Sequence, residues 1–211
     1  LAFKKAGISS KNGVDIGNLL LNQRAFKAPE EIAAMQKAIH ISEEALKNVM
    51  GWAKPGMTER QIADRLSDEM MKLGGQGNSF GPLVLTGPKS GLPHGNSDDR
   101  PWGEDEFLLI DYGAKYNDYP ADITRTFCVG EPTDQMRAMY EAVYQANKAA
   151  REYAKPGVTA HDLDKVARQI IKDAGFGDYF IHRLGHGLGL DVHELPNIVG
   201  GNHQVLEPGM V

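Results

Sequence analysis

A helix–Pro-Gly–helix block occurs twice in this chain, and the repeat limits what the chain can fold into. The first block places Ile32, Met35, Ile39, Leu46 and Val49 at helical spacing from Glu30 to about Trp52. Lys54-Pro55-Gly56-Met57-Thr58 ends that helix. Thr58 is positioned to cap a second helix through Ile62, Leu66 and Met70, which Gly74-Gly75 terminates. The second block runs from about Thr133 to Tyr153 and breaks at Lys155-Pro156-Gly157-Val158-Thr159. It resumes through Leu163, Val166, Ile170 and Ile171 to Gly175. At an offset of 101 residues, Lys54, Pro55, Gly56, Thr58 and Gly74 recur as Lys155, Pro156, Gly157, Thr159 and Gly175. Met35 matches Met136, and Trp52 matches Tyr153. Two copies are too few for a stacked solenoid. A duplicated α/β half-domain with a pseudo-two-fold axis fits, with a site expected where the halves meet. Each half runs into a glycine-rich segment bearing a histidine, Gly91-Leu92-Pro93-His94-Gly95 and Arg183-Leu184-Gly185-His186-Gly187-Leu188-Gly189. The pseudo-symmetry is expected to carry His94 and His186 toward a common centre.

Two aspartates lie between the blocks. Phe107 to Ile110 reads as a buried strand leading to Asp111. Lys115-Tyr116-Asn117-Asp118 is turn chemistry, and Ile123 to Val129 reads as the returning strand just after Asp122. A hairpin folded about Tyr116-Asn117 sets Asp111 opposite Asp122, with Cβ atoms about 5 Å apart. Carboxylates so placed repel unless a cation or a shared proton lies between them. The plain alternative turns one or both to solvent.

The 211 residues suffice for one sizeable core, or for an α/β domain with an appendage. A net charge of −5 argues against nucleic acid or an anionic membrane as the main partner. Cys128 is the single cysteine, which rules out an intramolecular disulfide and fits a reducing, cytoplasmic setting. Its apolar surroundings in sequence predict a buried, inert thiol. No run reaches membrane-span length, and the N-terminus has no signal-peptide pattern. The chain starts at Leu1 without methionine and stops at Glu207-Pro208-Gly209-Met210-Val211, where an apolar strand begins, so it is expected to be a piece of a longer protein.

Of seven histidines, His182, His186, His193 and His203 fall in the last thirty residues. Glycines on both sides of His186 allow backbone or substrate to approach closely. A phosphate-cradling loop is the weaker alternative, because the segment lacks the lysine of a P-loop. Asp111, Asp122 and His186 together form an oxygen and nitrogen donor set suited to Mn²⁺, Co²⁺, Fe²⁺ or Zn²⁺. With further carboxylates, two ions about 3.5 to 4 Å apart could share the site and acidify a bridging water. His94 and His193 are then candidates to donate hydrogen bonds to a tetrahedral intermediate or to shuttle a proton, with His182 lining the pocket. His40 and His161 read as solvated helix positions without partners, and His203 as a loop residue. Asp98-Asp99-Arg100 reads as polar loop, Glu43-Glu44 as a solvated helix face and Glu207 as part of a turn. Asp191 and Glu194 flank His193 and could orient it.

As a set, these segments resemble the pita-bread metallopeptidases, the clan of creatinase, methionine aminopeptidase, aminopeptidase P and prolidase. The matching pieces are Leu92-Pro93-His94-Gly95, Leu109-Ile110-Asp111-Tyr112-Gly113, Ala121-Asp122-Ile123-Thr124-Arg125-Thr126-Phe127, the run from Gly185 to Glu194 and Leu206-Glu207-Pro208-Gly209-Met210-Val211. The resemblance runs from about residue 25 to the end and is strongest to the Xaa-Pro dipeptidase and Xaa-Pro aminopeptidase branch. It implies an α/β (α+β) pita-bread fold, with duplicated halves around a curved antiparallel sheet and a dinuclear metal site. By position, Asp111, Asp122 (bridging) and His186 would be ligands to two divalent ions, Mn foremost, with Co, Zn or Fe possible. His94 and His193 would contact the substrate or its tetrahedral intermediate, and His182 would sit nearby. The implied enzyme hydrolyses the bond before a proline in dipeptides or peptides, using a hydroxide bridging two metal ions, and is a cytoplasmic homodimer in full-length form. Residues 1–24 would be a linker or the tail of a preceding domain, and 25–211 the pita-bread domain. Two further glutamate ligands of the family pattern would fall after Val211. A chain ending there is expected to bind metal weakly and to lack the closing strands. Two alternatives stand beside the peptidase: a non-catalytic pita-bread domain binding peptides or proteins, and a creatinase-like amidinohydrolase. The three ligand positions that can be checked are all present, which favours the enzyme.

Overall fold

The structure is a computed structural model describing residues 16–211. Residues 1–15, most of the expected 1–24 tail, lie outside the described residues. Helix α1 (Gly17–Ala25) is followed by α2 (Pro29–Trp52) and α3 (Glu59–Lys72). Strands β1 (Leu83–Thr86) and β2 (Phe107–Tyr112) come next, then the short ribbon of β3 (Lys115–Tyr116) and β4 (Tyr119–Pro120), and β5 (Ile123–Cys128). The second half contains α4 (Asp134–Tyr153), α5 (Ala160–Asp173), β6 (Gly185–Gly187) and β7 (Glu194–Ile198). No helix among the described residues is long and apolar enough to cross a membrane.

The repeat seen in the sequence is physical. Thr58 Oγ1 accepts the Gln61 N–H at 3.2 Å, and Thr159 Oγ1 accepts the Asp162 N–H at 3.1 Å. Each hydroxyl satisfies an N–H that has no partner within its helix. Gly56 and Gly157 take φ of 90° and 93°, and Gly74 and Gly175 take 95° and 85°, a left-handed region open to glycine at little cost. Even the tertiary bonds repeat. The Gly56 N–H donates to the Trp102 carbonyl and Glu59 to Arg100, as Gly157 donates to Leu206 and Ala160 to Gln204.

Strands β1, β2 and β5 form an antiparallel sheet with β2 in the centre. Alternation on β2 buries Leu108, Ile110 and Tyr112 against Ile41, Ala45 and Val49 of α2 and Ile62, Leu66 and Met70 of α3. Phe107 and Leu109 face the other way, across a cavity of about 870 Å³ lined on its far side by Met136, Met139, Tyr140 and Tyr144 of α4. Asp111 belongs to this second face, and the site is built at its end. A smaller core joins Ala146 and Ala150 of α4 to Leu163, Ala167 and Ile171 of α5 and Ile198 of β7.

The expected hairpin register is corrected by two residues. The turn is centred on Asn117 and Asp118, which take φ of 48° and 68°. Asn and Asp tolerate this conformation, and a two-residue turn with both φ positive matches the twist of the flanking strands. Tyr116 therefore pairs with Tyr119, and Asp111 pairs with Thr124 instead of Asp122. The same register, continued, sets Asp122 level with Gly113, just outside the β5 ladder. The two carboxylates are diagonal neighbours and not a facing pair.

Candidate active site

Asp111 and Asp122 hang from the end of the sheet, and His186 comes to them from β6. The Thr124 hydroxyl donates to Asp111 Oδ1 at 2.8 Å. Burial pushes the Asp111 carboxyl above its ordinary range, Thr124 opposes that, and the charge of Asp122 adds to it. Asp122 Oδ2 lies 3.5 Å from His186 Nε2, with the two side chains 25% and 17% exposed. On the far side of the imidazole, Nδ1 is 3.0 Å from the Gly187 carbonyl oxygen. A carbonyl can only accept, so Nδ1 carries a proton and Nε2 is left to face Asp122. A carboxylate oxygen and an imidazole lone pair facing each other require a proton or a cation between them. Gly187 makes this approach possible, since a Cβ there would run into the Leu195 carbonyl across the β6–β7 ribbon.

Three more histidines fall into two ring contacts, one of them with His186. His193 stacks edge-on to His186 with ring centroids 4.4 Å apart. Burial and the neighbouring His186 and Arg183 push His193 below the usual imidazole range, so it is neutral at pH 7. His94, in the loop between β1 and β2, meets His182, in the approach to β6, at a centroid distance of 6.4 Å. Both are exposed. Of the two histidines expected to approach a common centre, His94 lies against His182 and His186 against His193.

Donor chemistry decides whether these residues suit a metal. Two carboxylates and an imidazole Nε2 fit a hard or borderline divalent ion in kind. Among the described residues, no group of three or more His, Cys, Asp or Glu side chains is gathered tightly enough to enclose one. The set therefore has the right donors in an open arrangement.

Other expected residues fall elsewhere. Glu194 does not orient His193. Its side chain is buried on β7, where it accepts from Arg24 and, at 3.1 Å, from Lys27. Arg24 also reaches Asp191 at 2.7 Å, so these ion pairs tie α1 to the second half. Burial pushes the Glu194 carboxyl up, but the Asp191 N–H, Arg24 and Lys27 outweigh it and hold the group below its ordinary value of 4.5. The ionised form therefore stabilises the fold above about pH 4.5, and that stability is lost as pH falls through the depressed folded value. Glu194→Gln is expected to cost on the order of 3 kcal/mol at pH 7, because two cations lose a buried partner. Thermal melts of variant and parent should draw together as pH falls from 4.5 through the depressed folded value; an equal gap at every pH would contradict this. His161 is not without partners, since its Nδ1 accepts the Gly201 N–H at 2.9 Å and its ring lies 5.1 Å from His203. Cys128 is half-buried and not enclosed, and burial pushes its thiol up. The Asp98-Asp99-Arg100 loop is structured: Asp98 pairs with Lys89 at 2.7 Å, and Arg100 with Glu106 at 2.8 Å.

Thr124 escaped the sequence reading. It lies two residues after Asp122, so a register centred on Asn117-Asp118 would have exposed it as the partner of Asp111.

A duplicated α/β fold brings two acids and an imidazole together where its halves meet, and comparison gives the class of protein that carries them. Residues 33–211 match metallopeptidase family M24, and the chain belongs to that family. It is 42% identical over 196 residues to the Xaa-Pro dipeptidase of Pyrococcus furiosus, covering 93% of this chain and 56% of that protein. The prolidase of Pyrococcus horikoshii OT3 superposes with a TM-score of 0.94 at 38% identity, covering 99% of this chain and 59% of that one. The X-Pro aminopeptidase of Thermotoga maritima superposes with a TM-score of 0.89 at 39% identity, covering 92% and 55%. The fold is the pita-bread fold of these prolidases, and the chain spans less than two thirds of the length of the relatives it matches.

Proposed function

We propose that the protein is a metal-dependent exopeptidase that hydrolyses the Xaa-Pro peptide bond, and that Asp111, Asp122 and His186 are ligands of its dinuclear centre. The observation that supports this most is the His186 Nε2, oriented by its Nδ1–H on the Gly187 carbonyl and set 3.5 Å from the Asp122 carboxylate beside Asp111. The names of the relatives, Xaa-Pro dipeptidase, prolidase and X-Pro aminopeptidase, supply the substrate class. Divalent ions, Mn²⁺ foremost, supply Lewis acidity toward the scissile carbonyl and the attacking water when bound. The chain's own residues do the rest. Thr124 holds Asp111 in a single orientation by its hydroxyl hydrogen bond. Neutral His193 offers an N–H to the developing oxyanion, and His94 and His182 line the open side as donors to the substrate.

Metal content and Xaa-Pro dipeptide hydrolysis, measured under Mn²⁺ titration, test this reading on the 211-residue chain and on any longer product of its gene. Two tightly held ions and turnover in the longer form, with weaker metal binding by the 211 residues, are expected. No metal and no hydrolysis in either would leave a binding domain on a peptidase fold.

A further inference from the structure

We infer that two buried carboxylates away from the metal ligands, Glu59 and Asp164, are positioning residues that set the separation of His94 and His182. The structural part of this inference is independent of the reaction, while its kinetic consequence rests on the peptidase reading above.

Glu59 opens α3 and is fully buried. One carboxylate oxygen accepts the Thr86 N–H at 2.8 Å and the Thr86 hydroxyl at 2.9 Å. The other accepts Lys89 at 2.5 Å and the Asp98 N–H at 3.1 Å. Thr86 and Asp98 bracket the loop that carries His94, so one side chain clamps both ends of it. Lys89 extends the clamp to the Asn96 carbonyl at 3.0 Å, two residues beyond His94. The His94 ring makes no hydrogen bond to any described residue. Its position is therefore inherited from the loop backbone that Glu59 holds.

The second half uses the same device on different residues. Asp164 lies on α5, the counterpart of α3, and is 1% exposed. It accepts Arg168 through both oxygens, each at 2.8 Å, and the Leu184 N–H at 3.2 Å. Arg168 in turn donates to the carbonyls of Phe180 at 2.8 Å and His182 at 3.0 Å, and stacks 4.4 Å over the Phe180 ring. The backbone on both sides of His182 is thus pinned, three residues before the start of β6, which brings in His186. A buried carboxylate is costly to desolvate, and apolar packing would stabilise a helix–loop contact at least as well. What a carboxylate adds is direction: several convergent acceptor bonds fix backbone position where an apolar contact would let it slide. The two clamps meet at the His94–His182 pair, one histidine from each repeat.

The test uses Glu59→Gln, Lys89→Met and Asp164→Asn in the 211-residue chain and in any longer product of its gene. Nuclear Overhauser contacts between the His94 and His182 ring protons are read by NMR in the shorter form. Each folded variant is expected to lose or weaken that contact while the His186–His193 contact persists. In the longer, Mn²⁺-loaded form, turnover of an Xaa-Pro dipeptide should fall on the order of ten-fold or more, with metal content and KM little changed. Lys89→Met keeps the test alive if Glu59→Gln does not fold, because Lys89 is partly exposed and touches the same loop. Folded variants with an unchanged His94–His182 contact would overturn the inference. A lost contact with no hydrolysis in the parent protein would overturn the peptidase reading alone.

Discussion

On the proposed peptidase reading, replacing His186 with alanine is expected to lower both metal affinity and Xaa-Pro hydrolysis by more than about a hundred-fold. Loss of a residue that merely orients a ligand already costs roughly 10- to 100-fold in affinity, so loss of the ligand should cost more. The geometry makes the effect specific. His186 Nε2 is the group facing Asp122 Oδ2, and its removal leaves the two diagonal carboxylates without the imidazole that would share an ion with them. Metal analysis after dialysis, with turnover measured under excess Mn²⁺, separates the two parts of the effect. Recovery of turnover at high Mn²⁺ would show a ligand whose loss is made good by mass action. Retention of full metal content and turnover without added Mn²⁺ would remove His186 from the site.

Gly113→Ala is expected to be the most damaging single methyl in the described chain. Gly113 links β2 to the β3–β4 ribbon, and a Cβ there would occupy the space of the Ala121 carbonyl oxygen. That oxygen cannot move aside alone. The Ala121 N–H donates to the Ala114 carbonyl at 2.9 Å, and the Ser79 N–H donates to the Gly113 carbonyl at 2.8 Å, so the clash is with a bonded backbone. Overpacking of this kind should cost about 3 kcal/mol or more. In a chain of this size that lowers the melting midpoint by roughly 6 to 12 °C. Gly51→Ala is the control: Gly51 lies within α2 with nothing within 4 Å of its missing Cβ, and a stabilisation of roughly 0.5–1 kcal/mol is expected. The site should register the Gly113 change as well, because Gly113 sits between Asp111 and the turn that sets the position of Asp122. Two melting curves that shift alike would refute the steric account.

Much of this molecule is legible locally. The helices α2 to α5 follow from apolar spacing at a period of 3.6 and from Thr caps and Gly stops, all decided within a few residues of chain. The duplication is legible because the same capping chemistry recurs in phase at Thr58 and Thr159. The metal-type residues Asp111, Asp122 and His186 stand out through neighbouring apolar strands and glycines. The hairpin register was not legible, because Tyr116-Asn117 and Asn117-Asp118 are both acceptable turn centres in isolation. The choice falls on Asn117-Asp118 because both residues tolerate the positive φ that a two-residue turn requires and Tyr116 does not, so Tyr116 pairs with Tyr119. A shift of two residues preserves every face but changes every partner, which is how Thr124 replaced Asp122 opposite Asp111.

The amino-acid sequence by itself determined the four helices of the repeat and the family, and it supplied the residues proposed for the site, since each depends on short-range chemistry or on motif order. Tertiary structure alone decided which side chains meet. Glu194, adjacent to His193 in the chain, turns into a buried pair with Lys27, residues far apart in sequence. Glu59 and Asp164 carry no motif, yet each holds a histidine loop through bonds to residues 20 or more positions away. A buried carboxylate takes whichever donors the packing of helix on loop presents to it, and those donors are set by the whole fold and not by any segment of it.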